Sequence, residues 1–331
     1  MSGLVGHSMY GLLAAREASK RGLAVASLLT KHEASYLAGA YIGCDIQVMP
    51  EAVCVDTGRE VGFGTVPLER SPITGGAVQP WSLEFQGQSY RPKQIHQMFY
   101  GRAHLVFGWA GDDAKLAVPW DHLDDYCALA IRDHVKANPH AEASIAYLFG
   151  WMVHMVGDSL IKSIRPGIRM KLLDGTYTPR NRPIQDLFAY HEIGIKELHL
   201  DWPNILHAMA ATPVEAAQFH YMRIAKPEGE LAKLFSDGWR PEQAGLLAAV
   251  LQENRRWLTH HADDVLEDMT LGGTSDAIIL SKRVRAAVGD FSYAELMSMA
   301  ERAQMRDTLK IISESSVDLF EQVLAKIPEL R

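Results

Sequence analysis

The sequence predicts an all-α protein, a multi-helix bundle with long irregular loops. Apolar residues recur at helical spacing along most of the 331-residue chain. Alternating patterns typical of strands are short and occur at "IQVMPEAVCVD" and "SLEFQGQSY". Several segments also open with residues that favour a helix start, such as "NPHAEAS", "RPEQ" and "DFSYAE". A hydrophobic content of 47% is enough for a sizeable core.

The helical spacing predicts helices, in chain order, at residues 5–21, 29–42, 93–110, 119–137, 141–164, 184–208, 212–224, 228–236, 241–268, 274–288 and 291–326. Two further segments, 46–92 and 165–183, are expected to be long loops, which in compact helical domains commonly carry function. The pattern breaks again at 225–240. We therefore expect a metal-binding helical domain at residues 1–225 and a helical extension at 226–331 packed on it.

Composition excludes some classes of function. A formal net charge of -7 gives no basic surface for a nucleic-acid duplex. The cysteines Cys44, Cys54 and Cys127 form no C-x-x-C pair, and we expect free thiols. The opening residues lack the pattern of a secretory signal, and no apolar run is expected to be long enough to cross a bilayer. These features favour a cytoplasmic protein.

The most apolar segment, "IAYLFGWMVHMVGDSLIKSI" at residues 145–164, contains three ionisable residues. His154, Asp158 and Lys162 are spaced four apart, so a helix places them on one face. Burying such groups costs free energy unless each has a partner, and a metal ion suits both histidine and aspartate. The alternative is a polar edge facing solvent, with His154 bonded to a backbone carbonyl. The segment alone leaves both interpretations open.

Three more candidate ligands lie in apolar settings elsewhere. His7 lies in the first turn of the first predicted helix, Asp45 ends "YLAGAYIGCD", and His104 lies within "FYGRAHLVFGW". Taken singly, such a histidine is more typical of a hydrogen-bonded core residue. Taken singly, such an aspartate is more typical of a helix cap.

Together, these residues and their order resemble the zinc-dependent phospholipase C family. That family includes the catalytic domain of glycosylphosphatidylinositol-specific phospholipase D and is related in fold to the P1-type nucleases. The resemblance lies in "SGLVGHSMYGLLAAREA", "KHEASYLAGAYIGCDIQ", "RAHLVFGW" and "AYLFGWMVHMVGDSLIKS". The last block is similar to the family pattern A-[YF]-L-x-G-x-x-x-H-x-x-x-D-x-x-x-H. It implies a nuclease-like helical bundle that binds zinc.

The resemblance implies two metal sites with intact ligands. The first is formed by four residues: Asp45, His104, His154 and Asp158. Asp158 would bridge to the second site, where His7 is a ligand. The amine and carbonyl of Ser2 would complete that second site if Met1 is removed.

The family's third site is damaged in this chain. Lys162 stands where the family has a histidine. His191 is retained, but Ile195 stands where an acid is expected four residues later. Glu192 or Glu197 are the available substitutes, although neither has the family spacing. One or two zinc ions, or other divalent metals, are therefore expected.

The function implied is metal-dependent hydrolysis of a phosphoester. Water would be activated at the site that contains Asp45, and Lys162 would act in catalysis. Lys162 and Arg165 would bind a small anionic substrate such as a phosphoester or lipid headgroup. Lys162 has a simpler interpretation as a salt bridge to a carboxylate. The alternatives are a metal-dependent lyase or cyclase of a small metabolite, or a non-catalytic helical protein with a structural metal.

Overall fold

The structure is a computed structural model of the chain. It describes residues 3–42, 49–61, 69–71, 74–95, 98–99, 106–107, 115–116, 120–137, 141–161, 181–215, 217–218, 243–274 and 277–330. These residues are mostly helical, and their strands are short. The predicted all-α class is therefore confirmed.

The helices are α1 (Leu4–Lys20), α2 (Val25–Lys31), α3 (Glu33–Ile42), α4 (Leu123–Ala137), α5 (Glu142–Ile161), α6 (Asn181–Leu187), a π-helix (Phe188–Ile195), α7 (Trp202–Ala211), α8 (Gln243–Met269), α9 (Lys282–Val288), α10 (Tyr293–Arg302) and α11 (Met305–Lys326). The strands form four antiparallel pairs: β1 (Ala52–Cys54) with β2 (Val78–Pro80), β3 (Leu83–Phe85) with β4 (Gln88–Tyr90), β5 (Val106–Phe107) with β6 (Lys115–Leu116), and β7 (Gly272–Thr274) with β8 (Ala277–Ile279).

Helix α5 lies at the centre of the hydrophobic core, and α3 packs directly on it. Two glycines allow the close approach of the two backbones. A Cβ atom on Gly39 would lie 2.0 Å from the carbonyl oxygen of Tyr147, and one on Gly150 would lie 1.9 Å from the carbonyl oxygen of Tyr36. Only glycine fits at such contacts, since any side chain would push the helices apart.

Two further helices enclose α5. On the α1 side, Gly157 faces the ring of Tyr10, and a Cβ atom there would lie 2.8 Å from it. On the α11 side, Phe149 packs edge-on against Phe320 with ring centroids 5.1 Å apart. Side chains of α8 and α11 belong to the same hydrophobic cluster as those of α1, α3 and α5. The predicted domain boundary at 225–240 lies outside the described residues.

The expectation that no apolar run is long enough to cross a bilayer is not met by length and composition alone. Among the described residues, one helix, Glu142–Ile161, is long and apolar enough by length and composition. However, 94% of its apolar window is buried inside the protein. It is a core helix in this structure.

Several predicted helices are divided in the structure. The prediction of one helix at 291–326 was wrong, because Gln304 takes a left-handed conformation with φ of 58° between α10 and α11. The predicted helix at 184–208 stops after the π-helix and resumes at α7, where Asp201 caps the new start by accepting from the Asn204 amide. The capped start of α10 at "DFSYAE" is confirmed, with a capping box between Ser292 and Glu295.

Two other helix predictions overlooked strands. Residues 274–288 were predicted as one helix, but their first part belongs to the β7–β8 hairpin. Strand β7 contains Gly273 with φ of 84°, which interrupts a helix, and strand β8 contains the β-branched pair Ile278 and Ile279. Residues 93–110 include strand β5, and residues 29–42 divide into α2 and α3 at His32.

Of the cysteines, Cys54 and Cys127 are free, while Cys44 lies outside the described residues.

Candidate metal centre

Three of the predicted ligands meet at one point in the core. His7 comes from α1, and His154 and Asp158 come from successive turns of α5. One ligand atom of each lies within 4.8 Å of those of the other two. All three side chains are buried. We call these three residues the buried cluster.

Each histidine in the buried cluster is oriented by a backbone carbonyl. His7 Nδ1 lies 3.0 Å from the Gly3 oxygen, and His154 Nδ1 lies 2.9 Å from the Ala40 oxygen. A carbonyl oxygen only accepts, so Nδ1 carries the proton in each ring. In a neutral ring, Nε2 then presents a lone pair. Ligand histidines in metal sites are oriented in this same way.

Both Nε2 atoms face the same carboxylate. His7 Nε2 lies 3.3 Å from Asp158 Oδ1, and His154 Nε2 lies 3.6 Å from Asp158 Oδ2. The two imidazole rings are stacked with centroids 4.3 Å apart. Each carboxylate oxygen therefore faces a different imidazole, which is an arrangement that allows a carboxylate to bridge.

The electrostatics of the buried cluster favour a cation. Burial lowers the pKa of His7, the nearby His154 lowers it further, and Asp158 opposes both effects. His7 is therefore neutral near pH 7, and its lone pair faces a carboxylate oxygen. Acceptors that face one another in a dry interior repel unless a cation lies between them. The donor set of two imidazoles and one carboxylate suits a divalent metal ion, so His7, His154 and Asp158 can hold one.

Asp186, which was not among the predicted site residues, positions the His7 end of the buried cluster. Its Oδ1 accepts from the amides of Gly3 and Gly6, at 3.0 and 2.9 Å, and so caps the first turn of α1. A Cβ atom on Gly3 would lie 1.9 Å from Asp186 Oδ2, so this contact requires glycine. No local pattern marks Asp186, because its partners are more than 170 residues away in sequence.

The environment of Asp186 disfavours its charged form. Complete burial raises its pKa to about 6, although Arg182, the two glycine amides and His261 act in the opposite direction. Its second oxygen, Oδ2, is buried and accepts no hydrogen bond from the described part of the chain. The first turn of α1 is thus held by a carboxyl group that titrates close to neutral pH.

His191, the retained residue of the damaged site, does not join the buried cluster. Its Nε2 lies 2.8 Å from the carbonyl oxygen of Met269, and burial lowers its pKa. The two carboxylates considered as substitutes each have a cation beside them. Glu192 accepts from Lys196 at 2.7 Å, and Glu197 bonds to Arg306. We call residues 191–197 the His191 region.

The other predicted site residues lie outside the described residues. They are Ser2, Asp45, His104, Lys162 and Arg165. The structure therefore describes the helix pair of the predicted first site together with His7 of the predicted second site.

The chain matches no protein-family model, no curated protein and no solved structure. The resemblance to the phospholipase C family stays a prediction. The function is therefore inferred from the geometry of the buried cluster and of the residues around it.

Proposed function

We propose that this protein is a metal-dependent hydrolase of phosphoesters, similar in chemistry to phospholipase C. The single observation that carries the proposal is the convergence of His7, His154 and Asp158, with both imidazole lone pairs directed at one carboxylate. Two neutral imidazoles leave a bound divalent ion with net positive charge for an anionic substrate. Zinc, as one or two ions, is the metal proposed.

The roles of the protein residues follow from their placement. When bound, a divalent ion supplies Lewis acidity toward water and toward a phosphoryl oxygen. His7 and His154 hold their lone pairs in fixed directions because Gly3 and Ala40 carbonyls accept from Nδ1. Asp158 offers one oxygen to each imidazole.

Residues outside the described part complete the proposal. Asp45 and His104 would fill the first metal site, and Ser2 the second. Asp45 would also help to activate water. Lys162 and Arg165 would bind the anionic group of a phosphoester or lipid headgroup.

A non-catalytic metal site is the second candidate, and one observation favours it. His7, His154 and Asp158 are at most 2% exposed to solvent, as expected for a closed structural site. A structural ion would stabilise the fold without turning over a substrate. An ion with an open coordination position is needed for hydrolysis.

Metal analysis followed by an assay separates the two candidates. The purified protein is analysed for bound metal, stripped with a chelator, reloaded with Zn²⁺, and assayed on phosphodiesters and phosphomonoesters. The hydrolase proposal predicts turnover that disappears with the metal and returns on reloading. Stoichiometric metal without turnover on any ester indicates the structural site. Absence of bound metal contradicts both.

A further inference from the structure

A second histidine–carboxylate pair lies beside the buried cluster. His261, on α8, has its Nδ1 3.2 Å from Oε2 of Glu60, which lies on the segment after β1. The His261 side chain is 10% exposed and that of Glu60 is 22% exposed. The pair joins two segments 201 residues apart in sequence.

The contact with Glu60 determines which nitrogen of His261 is available. A carboxylate accepts, so Nδ1 carries the proton that faces Glu60. His261 Nε2 is buried and has no hydrogen-bond partner among the residues that the structure describes. Buried polar atoms of this kind usually have a partner, so an unpaired one indicates a place for a ligand. An imidazole oriented by a carboxylate, with its other nitrogen free, is the arrangement of a general acid or base.

One aromatic ring connects this pair to the buried cluster. The Tyr41 ring is parallel to that of His261, with centroids 6.0 Å apart, and it lies 6.0 Å from the ring of His7. His261 also acts on Asp186, the residue that caps α1. His261 therefore lies one aromatic ring away from His7.

We propose that His261 is the general acid of this site and that Glu60 is its positioning residue. The inference rests on the proposed hydrolysis of a phosphoester. Water adds to phosphorus, and the bond from phosphorus to the leaving oxygen breaks with its electron pair. That oxygen takes the proton from His261 Nε2. The imidazole regains a proton as the attacking water loses one, so atoms and charges balance.

Acidic and basic side chains both lie around His261. Glu60 contacts it directly, and Asp186 on α6 is close enough for the two charges to interact. Arg182, also on α6, acts on the Asp186 carboxyl as well, and its guanidinium donates to the Tyr41 hydroxyl at 3.2 Å. On α8 itself, Asp264 is paired with Arg59 and Arg283.

The test compares two esters that differ only in the leaving group. The zinc-loaded protein is assayed on the ethyl and the p-nitrophenyl esters of phosphorylcholine. An alkoxide needs a proton as it leaves, and p-nitrophenolate does not. His261→Gln should therefore lower kcat about 100-fold or more on the ethyl ester and less than about 10-fold on the p-nitrophenyl ester. The descending limb of the pH profile at high pH should also disappear.

Two further variants make the comparison specific. Glu60→Gln should lower kcat on the ethyl ester less than His261→Gln and move the descending limb to lower pH, because an anion that stabilises the imidazolium is lost. His207→Gln is the matched control. His207 and Asp263 form the same kind of pair at 2.9 Å, but both side chains are more than half exposed. This control should leave both esters and the pH profile unchanged.

The outcomes are distinct. Equal loss on both esters with an unchanged pH profile would mean that His261 is only structural, and it overturns the inference. If the wild-type protein hydrolyses neither ester, the proposed function fails. Binding of inorganic phosphate then tests the placement of His261 by itself. A shift of the His261 imidazole signals in a ¹H–¹⁵N NMR spectrum on adding phosphate, absent at His207, supports a place for His261 beside a phosphoryl group. No shift overturns it.

Discussion

The buried cluster and the His191 region both place a histidine among aromatic residues on a helix, yet their chemistry differs. In the buried cluster, both Nδ1 atoms donate to carbonyls and both Nε2 atoms face one carboxylate. In the His191 region, Nε2 faces the Met269 carbonyl, and Glu192 has Lys196 beside it. A candidate metal site needs ligand atoms that converge on one point, as those of the buried cluster do. A histidine near an acid does not suffice.

The largest expected difference between the two regions is in metal affinity. Asp158→Asn should weaken Zn²⁺ binding at least about 100-fold, because it removes the charge that both imidazoles face. His191→Gln should leave the affinity within about threefold of wild type, since His191 lies outside the buried cluster. Competition titration with a zinc chelator measures both variants. Equal losses would show that the two regions share one metal site.

A pair of glycine substitutions tests whether α1 positions His7. Gly3→Ala and Gly194→Ala both add a Cβ atom where there is no room for one. The new atom would lie 1.9 Å from Asp186 Oδ2 in the first variant and 2.4 Å from Trp202 Nε1 in the second. Both should lower the free energy of unfolding, by about 1–3 kcal/mol. Gly3→Ala should also weaken zinc binding about tenfold, because the Gly3 carbonyl orients His7.

Urea unfolding and zinc titration of both variants check this prediction. Gly194→Ala is the control in the His191 region, and its zinc affinity should stay at the wild-type value. A loss of affinity in both variants would mean that general destabilisation, and not the position of His7, controls binding.

Asp186 and His191 should contribute to the pH dependence of stability with opposite signs, because burial raises the pKa of Asp186 and lowers that of His191. The pKa of Asp186 is raised from 3.8 to about 6 in the folded protein. A raised pKa means that the folded state holds the proton more tightly. The contribution of protonated Asp186 to stability is present below pH 3.8 and is lost as the pH rises through about 6. By pH 7 the loss is on the order of 3 kcal/mol.

Asp186→Asn removes this titration and keeps an oxygen that can accept from Gly3 and Gly6. Relative to the variant, the metal-free wild-type protein should become less stable between about pH 4 and pH 7. Urea unfolding at several pH values, with a chelator present, measures the difference. Parallel curves for the two proteins would show that Asp186 keeps an ordinary pKa.

The smallest effect is expected at the ion pair of the His191 region. Lys196→Ala removes the cation beside Glu192, but Glu192 also accepts from the Tyr293 hydroxyl, and Lys196 is 61% exposed. The free energy of unfolding should change by about 0.5 kcal/mol or less, and zinc binding should not change. Thermal unfolding and metal analysis check both values. A gain of a second zinc ion on removing this cation would instead show that the charge of Lys196 keeps metal out of the His191 region.

Sequence patterns predicted the helices that are specified by residues close together in the sequence. The period of 3.6 residues identified α1 and α5, and the residues "DFSYAE" indicated the start of α10. They failed where a single backbone conformation interrupts the period, as at Gln304, because a left-handed residue other than glycine leaves no sequence signal. They also failed at the β7–β8 hairpin, where an apolar run fits either a strand or a helix.

The sequence by itself determined that His154 and Asp158 face one way, since residues four apart share a face of any helix. Only the tertiary structure decided what they face. The glycine contact of α3 with α5 brings the Ala40 carbonyl to His154, and the packing of α1 brings His7 to Asp158. The positions of Asp186 and of the Glu60–His261 pair also depend on contacts between distant segments. The physical reason is that spacing along the chain fixes neighbours within one helix, whereas neighbours between helices depend on how their side chains pack.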